Sequence, residues 1–213
     1  LLTDSDFTSA NIRNYPMLSG EARAPHRELR AAYAGVWSDF LNDARRAGQL
    51  RSDISVSAMR QFILSAMNWT VEWYDVKKYP VQMLSERMCK LILDGMCTSG
   101  RINTGILKSG AGVSIQTPEQ VGKAAHTRAE ILRAAARVLR DSGYKATTLR
   151  LIAAEANMKA GSVYYHFSSK EAIVDNVLNA GLSDLLSGVS AAVEGFDEPC
   201  NHHARIATAI WTH

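Results

Sequence analysis

The chain has few cysteines and prolines and lacks any long hydrophobic run. Its three cysteines are odd in number and form no C-x-x-C pair. We therefore expect neither a disulfide framework nor a zinc knuckle. We expect the protein to occupy a reducing compartment, the cytoplasm. No stretch approaches the roughly 20 apolar residues that cross a bilayer, and the first residues do not resemble a signal peptide, so no membrane partner is expected. Only five prolines beside long Ala-, Leu- and Arg-rich stretches favour helix.

Apolar residues recur at steps of three and four along most of the chain, the spacing of an amphipathic helix. No stretch alternates with the period of two that a strand requires. The sequence therefore predicts an all-α fold. The predicted helices cover Thr3–Tyr15, Pro25–Gly48, Ser55–Tyr74, Pro80–Asp94, Thr127–Ser142, Leu149–Ala156, Lys159–Phe167, a helix capped by Ser168-Ser169 that runs through Leu178, and Ala204–Trp211.

The composition changes after residue 98. From there to residue 112 a glycine follows every few residues without sustained periodicity, which indicates a linker rather than an ordered loop. We expect a helical segment over residues 1–98, a linker or joined tails over 99–120, and a compact helical domain over 121–175. Residues 176–213 would then form a connecting helix and further helices.

Basic residues are concentrated in one window of a chain whose net charge is only +3. Between Val121 and Lys170 nine lysines and arginines stand against three acids, a net charge of +6, so the remaining residues sum to −3. A basic segment attached to a mildly acidic body is typical of a domain that binds a polyanion. The concentration of positive charge is explained equally well by a solvated helix face that binds nothing.

Two short helices inside the basic window are joined at Asn157, a residue type that tolerates positive φ. This is a helix-turn-helix pattern, which binds DNA with its second helix. The alternative is that the aromatic residues of the second helix are core and that His166 only caps it. The expected buried residues are Ile152, Ala153, Ala156, Met158, Val163 and Phe167. The expected outward residues are Lys159, Ala160, Gly161, Ser162, Tyr164, Tyr165 and His166.

Specific residues recur around this helix pair at fixed spacings. They are Thr127, Ile131, Ala134-Ala135, Gly143-Tyr144, Thr147-Thr148-Leu149, Ile152-Ala153, Ala156, Gly161-Ser162-Val163-Tyr164-Tyr165-His166-Phe167 and Ser169-Lys170-Glu171. This set closely resembles the DNA-binding domain of TetR-type repressors, without a gap over about fifty residues. The resemblance implies that the second helix enters the major groove and that Thr148 and Lys170 bind phosphate. Asn157 and Lys159 depart from the family's usual Gly and Ser, so Lys159 adds a charge-mediated contact of its own.

The predicted DNA-binding residues combine three kinds of contact. Small residues allow close approach of the backbone to DNA, hydroxyls and cations bind phosphates, and Lys159 and Ser162 reach base edges. The full set is Thr148, Arg150, Lys159, Ala160, Gly161, Ser162, Tyr164, Tyr165, His166 and Lys170.

The first hundred residues carry a second, looser set of motifs. They are Asp4-Ser5-Asp6-Phe7-Thr8, Asn11-Ile12-Arg13, Arg27 with Tyr33 and Trp37, Gly48-Gln49-Leu50-Arg51, and Asn68-Trp69 with Trp73-Tyr74. They resemble the ligand-binding and dimerisation half of the TetR-type branch that senses fatty acyl, acyl-CoA or steroid-derived effectors. The resemblance places helices 55–74 and 80–94 in a dimeric four-helix bundle. By default large aromatic residues are simply core; the candidates to line an apolar effector pocket are Tyr33, Trp37, Phe62, Trp69 and Trp211.

The two halves stand in the reverse of the family's order, in which the DNA-binding domain comes first. Three explanations are open: a circular permutant bridged by residues 99–120, the middle of a tandem repressor, or an artefact of the recorded residue order. Joining His213 to Leu1 continues the helical period from Ile206 and Ile210, and we favour one protomer in swapped order. End-to-end packing of the helices that contain Trp211 and Leu2 would exclude the tandem explanation.

We expect a ligand-responsive transcriptional repressor, a homodimer that binds a palindromic operator and that needs no cofactor. One alternative is a helical acyl-binding protein with a non-functional DNA-binding half. Another is an enzyme that uses His202-His203 with Cys200 or Glu194. No metal-ligand spacing or oriented nucleophile supports it, because adjacent histidines on a helix point about 100° apart. We therefore expect no enzymatic activity.

Overall fold

The computed structural model describes residues 5–75, 77–98, 123–194 and 202–213. Their regular structure is helical, apart from one isolated antiparallel bridge between Leu50 and Cys97, so the all-α prediction is confirmed. The predicted linker, Leu1, Leu2 and Cys200 lie outside the described residues. The helices are α1 (Asp6–Asn14), α2 (Arg27–Arg46), α3 (Val56–Trp73), α4 (Val81–Met96), α5 (Lys123–Ala146), α6 (Leu149–Glu155), α7 (Ala160–His166), α8 (Lys170–Glu194) and α9 (His202–Thr212), with 3-10 turns at Tyr15–Met17 and Ala24–His26.

Helix ends follow signals that are visible in the sequence. Ser55 Oγ accepts a hydrogen bond from the Ala58 N–H at 3.2 Å, and Thr148 Oγ1 accepts one from the Leu151 N–H at 3.2 Å. These hydroxyls satisfy backbone donors that have no partner inside the helix. At Gly143 the backbone leaves helical geometry (φ 74°, ψ 168°), so the last residues of α5 are kinked away from its main axis. None of the described helices is long and apolar enough to cross a membrane.

One compact unit comprises the described residues 5–30 and 123–184. The expected boundary at residue 98 therefore does not coincide with the packing, since α1 lies with the helices of the basic window. The reason is a set of buried amides: Asn11 Nδ2 donates to the Leu178 carbonyl at 2.6 Å and Asn14 Nδ2 to the Leu139 carbonyl at 3.0 Å. Both asparagines are almost fully buried, so α1 is fixed on α5 and α8 by hydrogen bonds as well as by apolar contact.

The second unit comprises the described residues 31–75, 77–98, 185–194 and 202–213. Its core holds Trp37, Phe40, Leu41, Ile63 and Leu93, all at most 1 % exposed. The core also buries a short polar chain: Tyr33 Oη lies 2.5 Å from His213 Nδ1, and His213 Nε2 lies 2.9 Å from Asn68 Oδ1.

Burial determines the protonation of this polar chain. Burial lowers the pKa of His213 to about 3, so its ring is neutral at pH 7. A neutral ring has one donor and one acceptor, and the Asn68 oxygen requires the proton on Nε2. Nδ1 therefore accepts from the Tyr33 hydroxyl.

Candidate nucleic-acid interface

Helices α6 and α7 form a helix-turn-helix whose turn contains Asn157 at φ 53°. A left-handed backbone is costly for most side chains, and asparagine tolerates it better than other residues with a Cβ. Two hydrogen bonds close the turn: the Asn157 N–H donates to the Ala154 carbonyl at 3.0 Å and the Met158 N–H to the Ala153 carbonyl at 2.8 Å. The turn thus redirects the chain into α7 at the residue that the sequence indicated.

The apolar side of the helix pair is buried and its aromatic side is not. Ile152, Val163 and Phe167 are at most 3 % exposed, whereas Tyr164 is 58 % exposed and Tyr165 is 84 % exposed. The alternative in which these tyrosines are core residues therefore fails. The two phenol rings stand on the outward face of α7, where a bound duplex can reach them.

The residues predicted to bind DNA lie at the start of α6, along α7 and its N-cap, and at the first residue of α8. Two of them, Arg150 and Lys159, make no ion pair within the part of the chain that the structure describes. Arg137, by contrast, forms an ion pair with Glu155, with 2.6 Å between Nε and Oε1. The exposed members of the set are Thr148, Arg150, Lys159, Gly161, Ser162, Tyr164 and Tyr165, and the half-buried members are Ala160, His166 and Lys170.

Lys170 contacts its own chain. Its Nζ donates to the Tyr144 carbonyl at 2.6 Å and lies 4.2 Å from the centre of the Tyr144 ring. These contacts tie the first turn of α8 to the kinked end of α5. An ammonium group has three donors, so a phosphate contact by Lys170 is compatible with this intrachain role.

Arg128, in the first half of α5, contacts the helix-turn-helix and is not among the residues predicted from sequence. Its guanidinium donates a hydrogen bond to the carbonyl oxygen of His166, the last residue of α7, and packs over the ring of Phe167. In the sequence, Arg128 next to Thr127 only fits the period of a helix, and nothing there indicates its partners. The contact depends on the return of the chain thirty-eight residues later.

The predicted effector-pocket residues are divided between core and surface. Tyr33 and Trp37 are buried and Trp211 is half-buried. Phe62 and Trp69 are 58 % and 65 % exposed, so they do not line a pocket enclosed by the described chain. Phe62 and Trp69 are exposed because the residues of α3 that point inward lie on a different face of the helix. Those inward residues are Met59, Ile63, Met67 and Thr70.

Of the groups suggested for an enzyme, Cys200 lies outside the described residues, and the two other cysteines of the chain are at least partly buried. Burial raises the pKa of Cys89 to about 12 and that of Cys97 to about 11, so neither thiol ionises near neutral pH. His202 is buried, and His203 Nε2 lies 3.4 Å from the Gln49 carbonyl oxygen. Within residues 5–75, 77–98, 123–194 and 202–213 no group of three or more His, Cys, Asp or Glu residues could hold a metal ion.

Curated relatives of this chain are transcriptional regulators. The HTH-type transcriptional repressor KstR2 of Rhodococcus jostii is 39% identical over 83 residues, 38% of this chain and 41% of the relative. KstR2 of Mycolicibacterium smegmatis is 46% identical over 61 residues, 29% of this chain and 30% of the relative. The HTH-type transcriptional regulator HbdR of an Aromatoleum species is 29% identical over 86 residues, 40% of this chain and 36% of the relative. The chain thus spans less than half the length of these relatives, and no solved structure matches it significantly.

Two family patterns match the chain, and the pattern of an N-terminal domain lies after the pattern of a C-terminal domain. The pattern of bacterial regulatory proteins of the tetR family, an N-terminal domain, covers residues 131–177 and includes the helix-turn-helix. The pattern of the tetracyclin repressor-like C-terminal domain covers residues 1–96. The chain therefore belongs to the tetR family of bacterial regulatory proteins, with its C-terminal type of domain placed before its helix-turn-helix domain.

Proposed function

We propose that this protein is a ligand-responsive transcriptional repressor that binds a palindromic operator as a homodimer in the cytoplasm. The observation that carries the proposal is the division of α7 into a buried apolar face and an exposed face with Lys159, Tyr164 and Tyr165. A recognition helix of this kind lies in the major groove, and a two-fold dimer presents one such helix to each half-site.

Each part of the outward surface has a distinct role in the proposed complex. Ala160 and Gly161 at the start of α7 let the backbone approach the groove, while Lys159 and Ser162 reach base edges. The groups that bind the flanking phosphates are the hydroxyls of Thr148, Tyr164 and Tyr165, the His166 ring, and the cations of Arg150 and Lys170.

The first prediction tests DNA binding through its dependence on salt. Wild-type protein is expected to shift a palindromic duplex selected from a randomised library, with affinity falling linearly on a logarithmic salt scale. Arg150→Ala removes one exposed cation that is assigned to a phosphate, and it is expected to lower the magnitude of that slope by about one. Gel shifts between low and moderate salt measure it.

The control for Arg150→Ala is Arg87→Ala, which removes an exposed arginine from α4, outside the helix-turn-helix unit. Its slope is expected to equal that of the wild type. Failure of the wild type to bind any duplex at low salt, where phosphate contacts are strongest, would contradict the proposal.

We place the effector site in the unit of residues 31–75, 77–98, 185–194 and 202–213. Tyr33 and Trp37 are buried there, and the Trp37 Nε1 donor is buried without a partner in the described part of the chain. An unsatisfied buried donor beside a buried phenol suits an apolar ligand that carries a hydrogen-bond acceptor. Fatty acyl, acyl-CoA and steroid-derived compounds are the classes that the family resemblance suggests.

The second prediction is a rise in melting temperature with one of these ligand classes. A ligand that binds only the folded state at 100 times its Kd stabilises the protein by about 2.7 kcal/mol. Thermal-shift measurements with acyl-CoAs, free fatty acids and steroid acids identify the class, and the same ligand is expected to release the protein from operator DNA. Ligand binding without any DNA binding would favour the alternative, a helical acyl-binding protein whose DNA-binding half is non-functional.

The homodimer is assigned to the outer face of α3. Phe62, Trp69 and Trp73 follow one another at steps of seven and four residues, so they share one helix face, and each is at least 44 % exposed. Exposed aromatic residues in such a stripe are typical of a protein–protein contact. Effector binding would act on DNA affinity by changing the spacing or rigidity of the two DNA-binding units.

A further inference from the structure

The guanidinium of Arg128 joins three helices of the helix-turn-helix unit. Its Nη1 donates to the His166 carbonyl of α7 at 3.0 Å, and its Nη2 donates to Asn176 Oδ1 of α8 at 3.3 Å. Its central carbon lies 4.0 Å from the centre of the Phe167 ring. One planar group on α5 thus contacts the end of α7, the residue after it and the following helix.

The contact occurs where α7 needs external support. This helix has only seven residues, a length at which isolated helices are unstable in water, so tertiary contacts set its orientation. The carbonyl groups of its last turn accept no hydrogen bond from N–H groups within the helix. Arg128 satisfies one of them and places a cation near the negative end of the helix dipole.

Asn176 is oriented to receive Arg128. Its Nδ2 donates to the Ala172 carbonyl of the preceding helical turn at 2.7 Å, which turns its oxygen toward the guanidinium. Arg128 therefore has a pre-positioned acceptor on α8 and another on α7. A lysine cannot reproduce this arrangement, because its point-like ammonium has neither the fork geometry nor the flat face for stacking.

We propose that Arg128 is a positioning residue for operator recognition. It holds the C-terminal end of α7 at the angle at which Lys159 and Ser162 reach base edges, and it does so without contacting DNA. This role rests on the proposed DNA-binding function. Because a tilt of α7 misaligns base contacts more than phosphate contacts, Arg128 sets sequence discrimination rather than general affinity for DNA.

The experiment compares wild type, Arg128→Lys and Asn176→Ala on two duplexes of equal length, the library-selected operator and a scrambled sequence. Arg128→Lys keeps the charge and is expected to weaken operator binding about tenfold, the equivalent of part of one bidentate base contact. Binding to the scrambled duplex and the salt slope are expected to stay at wild-type values. Asn176→Ala is expected to lower the operator-to-scrambled ratio about threefold, because it leaves Arg128 with one acceptor fewer.

Arg133→Lys is the matched control, since Arg133 is an exposed arginine on the same helix about 140° around its axis. It is expected to match the wild type on both duplexes. An unchanged operator-to-scrambled ratio in Arg128→Lys would overturn the positioning role. So would a salt slope lowered by about one in Arg128→Ala, which removes the cation, because that loss marks a direct phosphate contact. Equal losses on both duplexes with a lower urea midpoint would show a merely structural role.

Failure of the proposed function gives a different result, because the wild type would then select no operator at all.

Discussion

Replacing Gly181 by alanine is expected to lower the free energy of unfolding by about 3 kcal/mol. A Cβ at this position of α8 would lie 2.1 Å from the Phe7 carbonyl oxygen and 2.9 Å from the Thr8 nitrogen. Both atoms belong to the backbone of α1, so no side-chain rotation can relieve the overlap. The two helices must move apart, and overpacking of this kind costs about 1–3 kcal/mol by itself.

The separation also disturbs buried hydrogen bonds. Asn11 Nδ2 donates to the Leu178 carbonyl at 2.6 Å, and Thr8 Oγ1 donates to the Gly181 carbonyl at 3.4 Å. Both donors are buried, so a shift of α1 leaves them without water or protein partners, which adds about 1–3 kcal/mol. Urea unfolding followed by circular dichroism measures the total.

Gly35→Ala is the matched control for Gly181→Ala. Gly35 lies inside α2, and a Cβ there meets nothing within 4 Å. The same substitution is therefore expected to stabilise the protein by about 0.5–1 kcal/mol through the higher helix propensity of alanine. Equal stability of Gly181→Ala and wild type would contradict the close approach of α1 and α8.

The helix-turn-helix could be predicted from sequence because its determinants are local. The N-cap Thr148, the left-handed Asn157 and the apolar face that ends at Phe167 lie within twenty residues of one another. The turn at Asn157 and the burial of Phe167 are as expected. Local signals of this kind act before any tertiary contact exists. The helical period and the turn residue Asn157 were therefore enough to predict the two short helices and the outward surface of α7.

The packing of α1 could not be predicted in the same way. Asn11 and Asn14 are polar, and a reading of periodicity assigns polar residues to the surface, whereas here their amides are buried against carbonyls more than a hundred residues away. Arg128 presents the same difficulty. Its partners, His166 and Asn176, are ordinary backbone and side-chain acceptors that leave no mark in the sequence.

The aromatic residues of α3 show a third limit. Phe62 and Trp69 are adjacent in sequence to inward residues such as Ile63, so hydrophobicity alone gives α3 an apolar face that is wider than its buried one. Which part of that face is covered by the same chain depends on the neighbouring helices. The exposed remainder is the surface that we assign to a second copy of the chain.

Trp69→Glu is expected to raise the dissociation constant of the proposed homodimer about 100-fold. Trp69 is 65 % exposed at the middle of the stripe formed by Phe62 and Trp73, and a carboxylate buried there would have no cation to pair with on these neighbours. Because the side chain is exposed in the single chain, folding should be retained while association is lost. Sedimentation velocity measures the dimer, and gel shift measures operator affinity.

Operator affinity is expected to fall with dimerisation, because a monomer presents one recognition helix and occupies one half-site. Ser57→Glu is the control: it adds the same charge to an exposed position of α3 about 120° around the helix from Trp69. It should remain dimeric and bind the operator like the wild type. If Trp69→Glu stays dimeric at the wild-type dissociation constant, the dimer uses another surface. If it becomes monomeric yet binds the palindrome at full affinity, two-fold recognition is wrong, and the exposed face of α7 acts one copy at a time.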